Sequence, residues 1–137
     1  MKNFLNKKFY IFWLPVILWA GIIFWLSSIP DLESGLKQDF ILRKIAHILE
    51  FAILTFLLIR AINQENLSIK KTIIFSLIIA LFYALSDEYH QTFIGGRQGA
   101  LRDAGIDSIG ILLTGLVWYI KKRNPVPQEV QGGGRQN

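Results

Sequence analysis

Histidine and carboxylate side chains recur in this chain at spacings that place them on common faces of helices. Arg43, His47 and Glu50 are separated by four and three residues, so in a helix they share one face. Asp103 and Asp107, four residues apart, share a face further along the chain. Because a histidine beside a carboxylate can act as general base and acid, this spacing indicates acid–base chemistry.

A second set of polar side chains lies between residues 87 and 102. Asp87, His90 and Gln91 are separated by three residues and one, which places them on one flank of a helix. Arg97 and Arg102 lie in a glycine-containing segment, where guanidinium groups can bind a phosphate or carboxylate of a substrate. Alternatively, these two arginines pair with the aspartates at 103 and 107.

We therefore predict two groups of site residues. The candidates for acid–base catalysis are His47, Glu50, Asp87, His90, Asp103 and Asp107. The candidates for substrate binding are Arg43, Gln91, Arg97 and Arg102. Zinc or manganese would accept the nitrogen and oxygen donors of His47, Glu50, Asp87 and His90. Since H-x-x-E spacing alone is a weak signal, no residue is predicted as a metal ligand, and the sequence identifies no cofactor.

The alternative to a functional site is a set of ion pairs that fixes how helices pack. Arg43 with Asp103, or Arg97 with Glu50, are examples of such pairs. Two histidines and several carboxylates exceed what packing requires, so we favour a common site. The chain has no cysteine, which excludes thiol nucleophiles, disulfides and thiolate metal sites.

Four long apolar blocks must position these side chains. They cover residues 9–28, 40–60 and 72–85, and a fourth stretch that begins at 103 or 104 and ends at 120. The third block continues as a helix through residue 90. About 20 helical residues cross a hydrocarbon core of roughly 30 Å. The first block is longer than the apolar core of a signal peptide and lacks a convincing cleavage site, so we expect it to be retained. We predict an all-α fold, an integral membrane helical bundle with about four transmembrane helices.

Domain boundaries and orientation follow from composition and charge. Residues 1–124 are predicted to form one transmembrane domain, and residues 125–137, rich in glycine, to form a disordered cytoplasmic tail. Ten basic residues flank the blocks on one side: Lys2, Lys7, Lys8, Arg60, Lys70, Lys71, Lys121, Lys122, Arg123 and Arg135. Five flank them on the other side: Lys37, Arg43, Lys44, Arg97 and Arg102. The positive-inside rule then predicts cytoplasmic termini and an extracytoplasmic polar site, and it explains the net charge of +5 without nucleic acid as a partner.

Three stretches of the chain resemble the VanZ-like family of bacterial membrane proteins. They are S-S-I-P at 27–30, R-K-I-A-H-I-L-E-F at 43–51, and S-D-E-Y-H-Q-T-F at 86–93 followed by Arg97, Asp103, Asp107 and Gly110. Gly95 departs from the pattern, since relatives often carry proline before the Gly-Arg pair. That difference changes the stiffness of the loop and affects none of the candidate chemical groups.

The resemblance implies a multi-pass protein of the cell membrane, and the founding member of the family is linked to low-level resistance to the glycopeptide antibiotic teicoplanin. It implies membrane lipids as surroundings, and a lipid-linked cell-wall precursor or a glycopeptide antibiotic as ligand. The first hypothesis is therefore an envelope factor that recognises such a ligand. The second is a hydrolase or transferase acting on a lipid-linked or amphiphilic substrate. A transporter ranks last because no inverted repeat is visible.

Overall fold

Four α-helices account for most of the residues that the structure describes. The structure, a computed structural model, describes residues 7–30, 39–95, 97, 99 and 101–124. Helix α1 covers Leu14–Ser27 and follows a π-helical turn at Phe9–Trp13. Helices α2, α3 and α4 cover Asp39–Ile62, Ile69–Gln91 and Leu101–Arg123. The described residues contain no strand.

The π-helical turn before α1 has a cause in the sequence. Pro15 lies in the first turn of α1 and has no backbone N–H, so it cannot bond the carbonyl four residues before it. The wider turn accommodates this loss, and the N–H of Leu14 bonds the carbonyl of Phe9 instead. Together the two segments give an apolar stretch from Phe9 to Ser27, long enough to span a membrane.

The helices alternate in direction. The Lys8 side chain, before α1, donates to the backbone carbonyl of Gln64, just after α2, at 3.4 Å. The Arg60 guanidinium near the end of α2 lies 5.1 Å from the ring centroid of Phe12. The start of the first apolar segment and the end of α2 therefore share one end of the bundle.

Helix α4 packs against α2 and α3 and depends on small residues to do so. A Cβ at Gly110 would collide with the backbone carbonyl oxygen of Ile48 on α2. A Cβ at Gly115 would lie 3.0 Å from a methyl group of Leu77 on α3. Such close approach of helix backbones is typical of packing within membranes. There the hydrophobic effect does not drive helices together, and small residues allow the close van der Waals packing that does.

Large apolar side chains cover the outside of the bundle. Phe82, Phe93 and Val117 are 69%, 70% and 63% exposed, which a water-soluble helical protein would avoid. Four helices are long and apolar enough to cross a membrane. The predicted all-α membrane bundle of four helices is therefore confirmed, and the protein is a multi-pass membrane protein.

Two smaller details concern boundaries. Helix α4 begins at Leu101, two residues before the earliest start suggested by the apolar block. The predicted tail at 125–137 and the polar loop at 31–38 lie outside the described residues.

Candidate functional site

Polar side chains gather at the end of the bundle where α1 and α3 end and where α2 and α4 begin. Ser28, directly after α1, has its Oγ 3.0 Å from Nε2 of His90 on α3. Lys44 on α2 forms an ion pair with Asp103 on α4, with Nζ 2.5 Å from Oδ2. The alternating helix directions thus bring side chains from all four helices to one end.

A cavity of about 180 Å³ lies at this end. Its volume is several times that needed for one water molecule. It is lined by Leu26, Ser27, Arg43, Ala46, His47, Glu50 and Arg97. Four of the ten residues predicted from the sequence, Arg43, His47, Glu50 and Arg97, therefore line one cavity between α1, α2 and the segment after α3.

Arg97 is fixed by the end of α1. Its Nε donates to the carbonyl of Ile29 at 3.1 Å, and its Nη2 donates to the carbonyl of Leu26 at 2.9 Å. Leu26 lies in the last turn of α1 and Ile29 lies just after the helix, where backbone carbonyl groups carry partial negative charge. The guanidinium thus links the segment after α3 to α1.

The charges of Arg97 and Arg43 act on each other. Burial is the main influence that lowers the pKa of the Arg97 guanidinium, and the positive charge of Arg43 lowers that pKa further. Guanidinium groups carry a positive charge in proteins at neutral pH. The two cations therefore repel one another across the cavity they line.

Among the residues that the structure describes, those lining the cavity carry more positive than negative charge. Arg43 forms no ion pair with any residue that the structure describes, and the same holds for Glu50. The turn of α2 that carries Glu50 is fixed against α1, since Trp19 Nε1 donates to the Glu50 carbonyl at 2.9 Å. Two guanidinium groups and one carboxylate thus face the same space.

A buried network adjoins the cavity at Ser27. Ser27 Oγ donates to Asp87 Oδ2 at 2.8 Å, and Gln91 Nε2 donates to the same oxygen at 2.8 Å. All three side chains are buried. Asp87 and Gln91, predicted as catalytic and substrate-binding residues, thus lie one contact away from the cavity and join α3 to α1.

His47 links the cavity to α4. Its Nδ1 lies 3.4 Å from Oδ1 of Asp107, which is almost fully buried. Gly110 lies one helical turn beyond Asp107 and lets α4 approach the backbone of α2 at Ile48, next to His47 in sequence. The close contact of the two helices therefore places Asp107 beside His47.

Three other predicted residues do not line the cavity. His90 contacts Ser28 and stacks on Phe24, with ring centroids 4.5 Å apart. Asp103 pairs with Lys44, and Arg102 is exposed. The possible pairs Arg43–Asp103 and Arg97–Glu50 are not formed in the structure, which joins Asp103 to Lys44 instead.

The sequence pattern missed three residues of this region. Lys44 is adjacent to Arg43, and helical spacing does not group it with His47 and Glu50. Ser27 carries no charge, and its only signal is the S-S-I-P stretch. Glu88 points about 100° from Asp87 on a helix, so helical spacing does not group it with Asp87, His90 and Gln91, yet it is buried beside His47 and Asp107. Its signal was simply a carboxylate at the end of an apolar helix.

The chain also matches a known protein family. The family model described as VanZ/LLP1 matches residues 12–122, which include all four helices almost entirely. The chain belongs to the VanZ/LLP1 family. No curated protein and no solved structure shows significant similarity to it. The matched region contains the cavity, the Ser27 network and the His47–Asp107 contact.

Proposed function

We propose that this VanZ/LLP1 family protein is a factor of the bacterial cell envelope that binds the phosphate-bearing headgroup of a lipid-linked cell-wall component. The ligand occupies the cavity on the extracytoplasmic side of the cell membrane, and both termini lie in the cytoplasm. The observation that carries the proposal is that two guanidinium groups, on Arg43 and Arg97, face one cavity in which Glu50 supplies the only carboxylate among the described lining residues.

Charge and geometry favour a phosphate. Arginine guanidinium groups bind phosphate oxygens through paired, charge-assisted hydrogen bonds. An anion between Arg43 and Arg97 relieves their mutual repulsion, whereas a neutral ligand leaves it in place. The bundle surface is apolar, so the acyl or polyprenyl part of such a ligand remains in the surrounding lipid while its headgroup enters the cavity.

A role in teicoplanin resistance is consistent with this site. The founding member of the family that the sequence resembles is linked to that phenotype, and the proposed extracytoplasmic site faces the compartment in which the antibiotic acts. On this proposal the protein contributes to resistance by binding the lipid-linked precursor, and direct binding of the glycopeptide is the competing outcome of a binding experiment.

A membrane hydrolase or transferase is the second candidate. It is favoured by one observation, that His47 lines the cavity while its ring also contacts the buried carboxylate of Asp107. A histidine oriented by a carboxylate can move a proton to or from a bound substrate. Incubation of the protein with the lipid phosphate, followed by mass spectrometry of the extracted lipids, separates the two candidates: a binding factor forms no product.

The binding proposal is tested by titrating a soluble, short-chain lipid phosphate monoester into the full-length protein in nanodiscs of neutral lipid. We expect wild-type protein to bind the lipid phosphate and to show no detectable binding of the corresponding lipid alcohol. Arg43→Gln should weaken binding roughly 10–100-fold, because a hydrogen bond to a charged group contributes about 1.5–3 kcal/mol.

Arg102→Gln is the matched control for this titration. It removes the same charge near the same end of the bundle, but Arg102 is exposed and does not line the cavity. Its affinity should stay close to that of the wild type. Equal losses in both variants, or equal binding of the phosphate and the alcohol, would show that the cavity does not recognise the anion. Binding of teicoplanin but not of the lipid phosphate would replace the proposed ligand by the antibiotic.

A further inference from the structure

Three side chains beside the cavity combine donor atoms that suit a divalent metal ion. His47, Glu88 and Asp107 come from α2, α3 and α4, respectively. Each offers one ligand atom, and these atoms all lie within 4.8 Å of one another. One imidazole nitrogen with carboxylate oxygens is a donor set that zinc accepts.

The distance between His47 and Asp107 fits two ligands of one metal ion better than a hydrogen bond. The separation of Nδ1 and Oδ1 is 3.4 Å, beyond the 2.7–3.2 Å range typical of N–H···O hydrogen bonds. Two donors of a tetrahedral zinc ion with bonds of about 2.0–2.2 Å lie roughly 3.4 Å apart. The distance between Nδ1 of His47 and Oδ1 of Asp107 therefore equals the distance expected between two ligand atoms of one tetrahedral zinc ion.

Polar atoms of His47 and Asp107 also need a partner. Asp107 is 1% exposed, and its Oδ2 is buried without a hydrogen bond to any residue that the structure describes. Nδ1 of His47 is likewise buried without a hydrogen-bond partner among those residues. Burial of a carboxylate costs several kcal/mol unless an opposite charge lies close. A divalent cation between these atoms supplies that charge.

We propose that His47, Glu88 and Asp107 together bind one zinc ion. Three protein ligands leave a fourth tetrahedral position for water or for an oxygen of a bound molecule, which is typical of zinc sites that are not purely structural. Because His47 also lines the cavity, the metal site borders the cavity. The inference does not depend on the proposed phosphate ligand, since zinc alone is the probe in its test.

The test measures zinc binding by full-length protein in detergent after treatment with a chelator. Equilibrium dialysis with metal analysis should find one zinc ion per chain for the wild type. Asp107→Asn and Glu88→Gln should each weaken binding more than about 100-fold, since even residues that only support a ligand change affinity 10–100-fold. Asp103→Asn, one turn before Asp107 and paired with Lys44, is the matched control and should change affinity less than about tenfold.

Two results would overturn the zinc site. The first is the absence of stoichiometric zinc on folded wild-type protein. The second is unchanged affinity in the Asp107→Asn and Glu88→Gln variants. If those variants do not fold, X-ray absorption of zinc-loaded wild-type protein decides the question. We expect one imidazole nitrogen and otherwise oxygen ligands at about 2.0–2.2 Å, whereas a zinc shell with two imidazoles, or with none, contradicts the assignment.

Discussion

Replacing Gly110 by alanine should destabilise the protein by about 3 kcal/mol, near the upper end of the usual cost of overpacking. The new Cβ would collide with the carbonyl oxygen of Ile48 and lie 3.2 Å from the backbone nitrogen of Ala52. Both are backbone atoms of α2, so no side chain can rotate away and the two helices must separate. Because the same contact holds Asp107 beside His47, zinc affinity should fall as well.

Gly105→Ala is the matched control on the same helix. A Cβ at Gly105 meets nothing within 4 Å, and alanine favours a helix over glycine by up to about 1 kcal/mol. Heating both variants in detergent, followed by size-exclusion chromatography, measures the temperature at which folded protein is lost. That temperature should fall for Gly110→Ala and stay equal or rise for Gly105→Ala. Equal temperatures for the two variants would contradict the close packing of α2 and α4.

Replacing Arg97 by lysine should reduce affinity for the lipid phosphate by roughly 10–100-fold, as much as replacement by glutamine. The guanidinium reaches the carbonyls of Ile29 and Leu26 through two different nitrogens and still presents a charged plane to the cavity. The single ammonium of lysine cannot bond both carbonyls and a ligand in that geometry. Charge alone therefore does not replace arginine at this position.

Arg43→Lys provides the comparison. The Arg43 guanidinium donates no hydrogen bond to the residues that the structure describes, so its replacement by lysine breaks no such contact, and lysine keeps the charge and can itself donate to a phosphate. In the nanodisc titration Arg43→Lys should retain more affinity than Arg43→Gln, while Arg97→Lys and Arg97→Gln should be alike. Wild-type affinity of Arg97→Lys would show that the contacts with α1 do not position the arginine for binding.

The sequence predicted the fold because apolar blocks of membrane length are an unambiguous signal. The blocks that become α1, α2 and α4 have about 17 to 21 residues, and the shorter third block reaches a similar length with its helical continuation through residue 90. The charged residues between the blocks mark their ends. Spacing within a helix was equally informative, since Arg43, His47 and Glu50 all line the cavity. Periodicity along one helix fixes which side chains share a face before any packing is known.

Contacts between helices could not be predicted in the same way. Nothing in the sequence indicates that Ser27 donates to Asp87, or that Lys44 rather than Arg43 pairs with Asp103. The position of Glu88 beside His47 and Asp107 depends on the rotation and separation of three helices. The rotation and separation of the helices are set by close contacts such as that of Gly110 with Ile48. Sequence periodicity does not predict such contacts.

The proposed anion site is tested most directly by cysteine accessibility at Ala46, which lines the cavity. The chain has no cysteine, so Ala46→Cys introduces a single thiol, which reacts with methanethiosulfonates only as a hydrated thiolate. Leu49→Cys is the control on the same helix, because Leu49 is 56% exposed on the apolar surface of the bundle.

In intact cells, membrane-impermeant reagents should modify Ala46→Cys and react little with Leu49→Cys. The negatively charged reagent should react faster than the positively charged one, and the preference should disappear when Arg43 and Arg97 are both replaced by glutamine. Modification only from the cytoplasmic side, or a preference for the positively charged reagent, would contradict an extracytoplasmic cavity that binds anions.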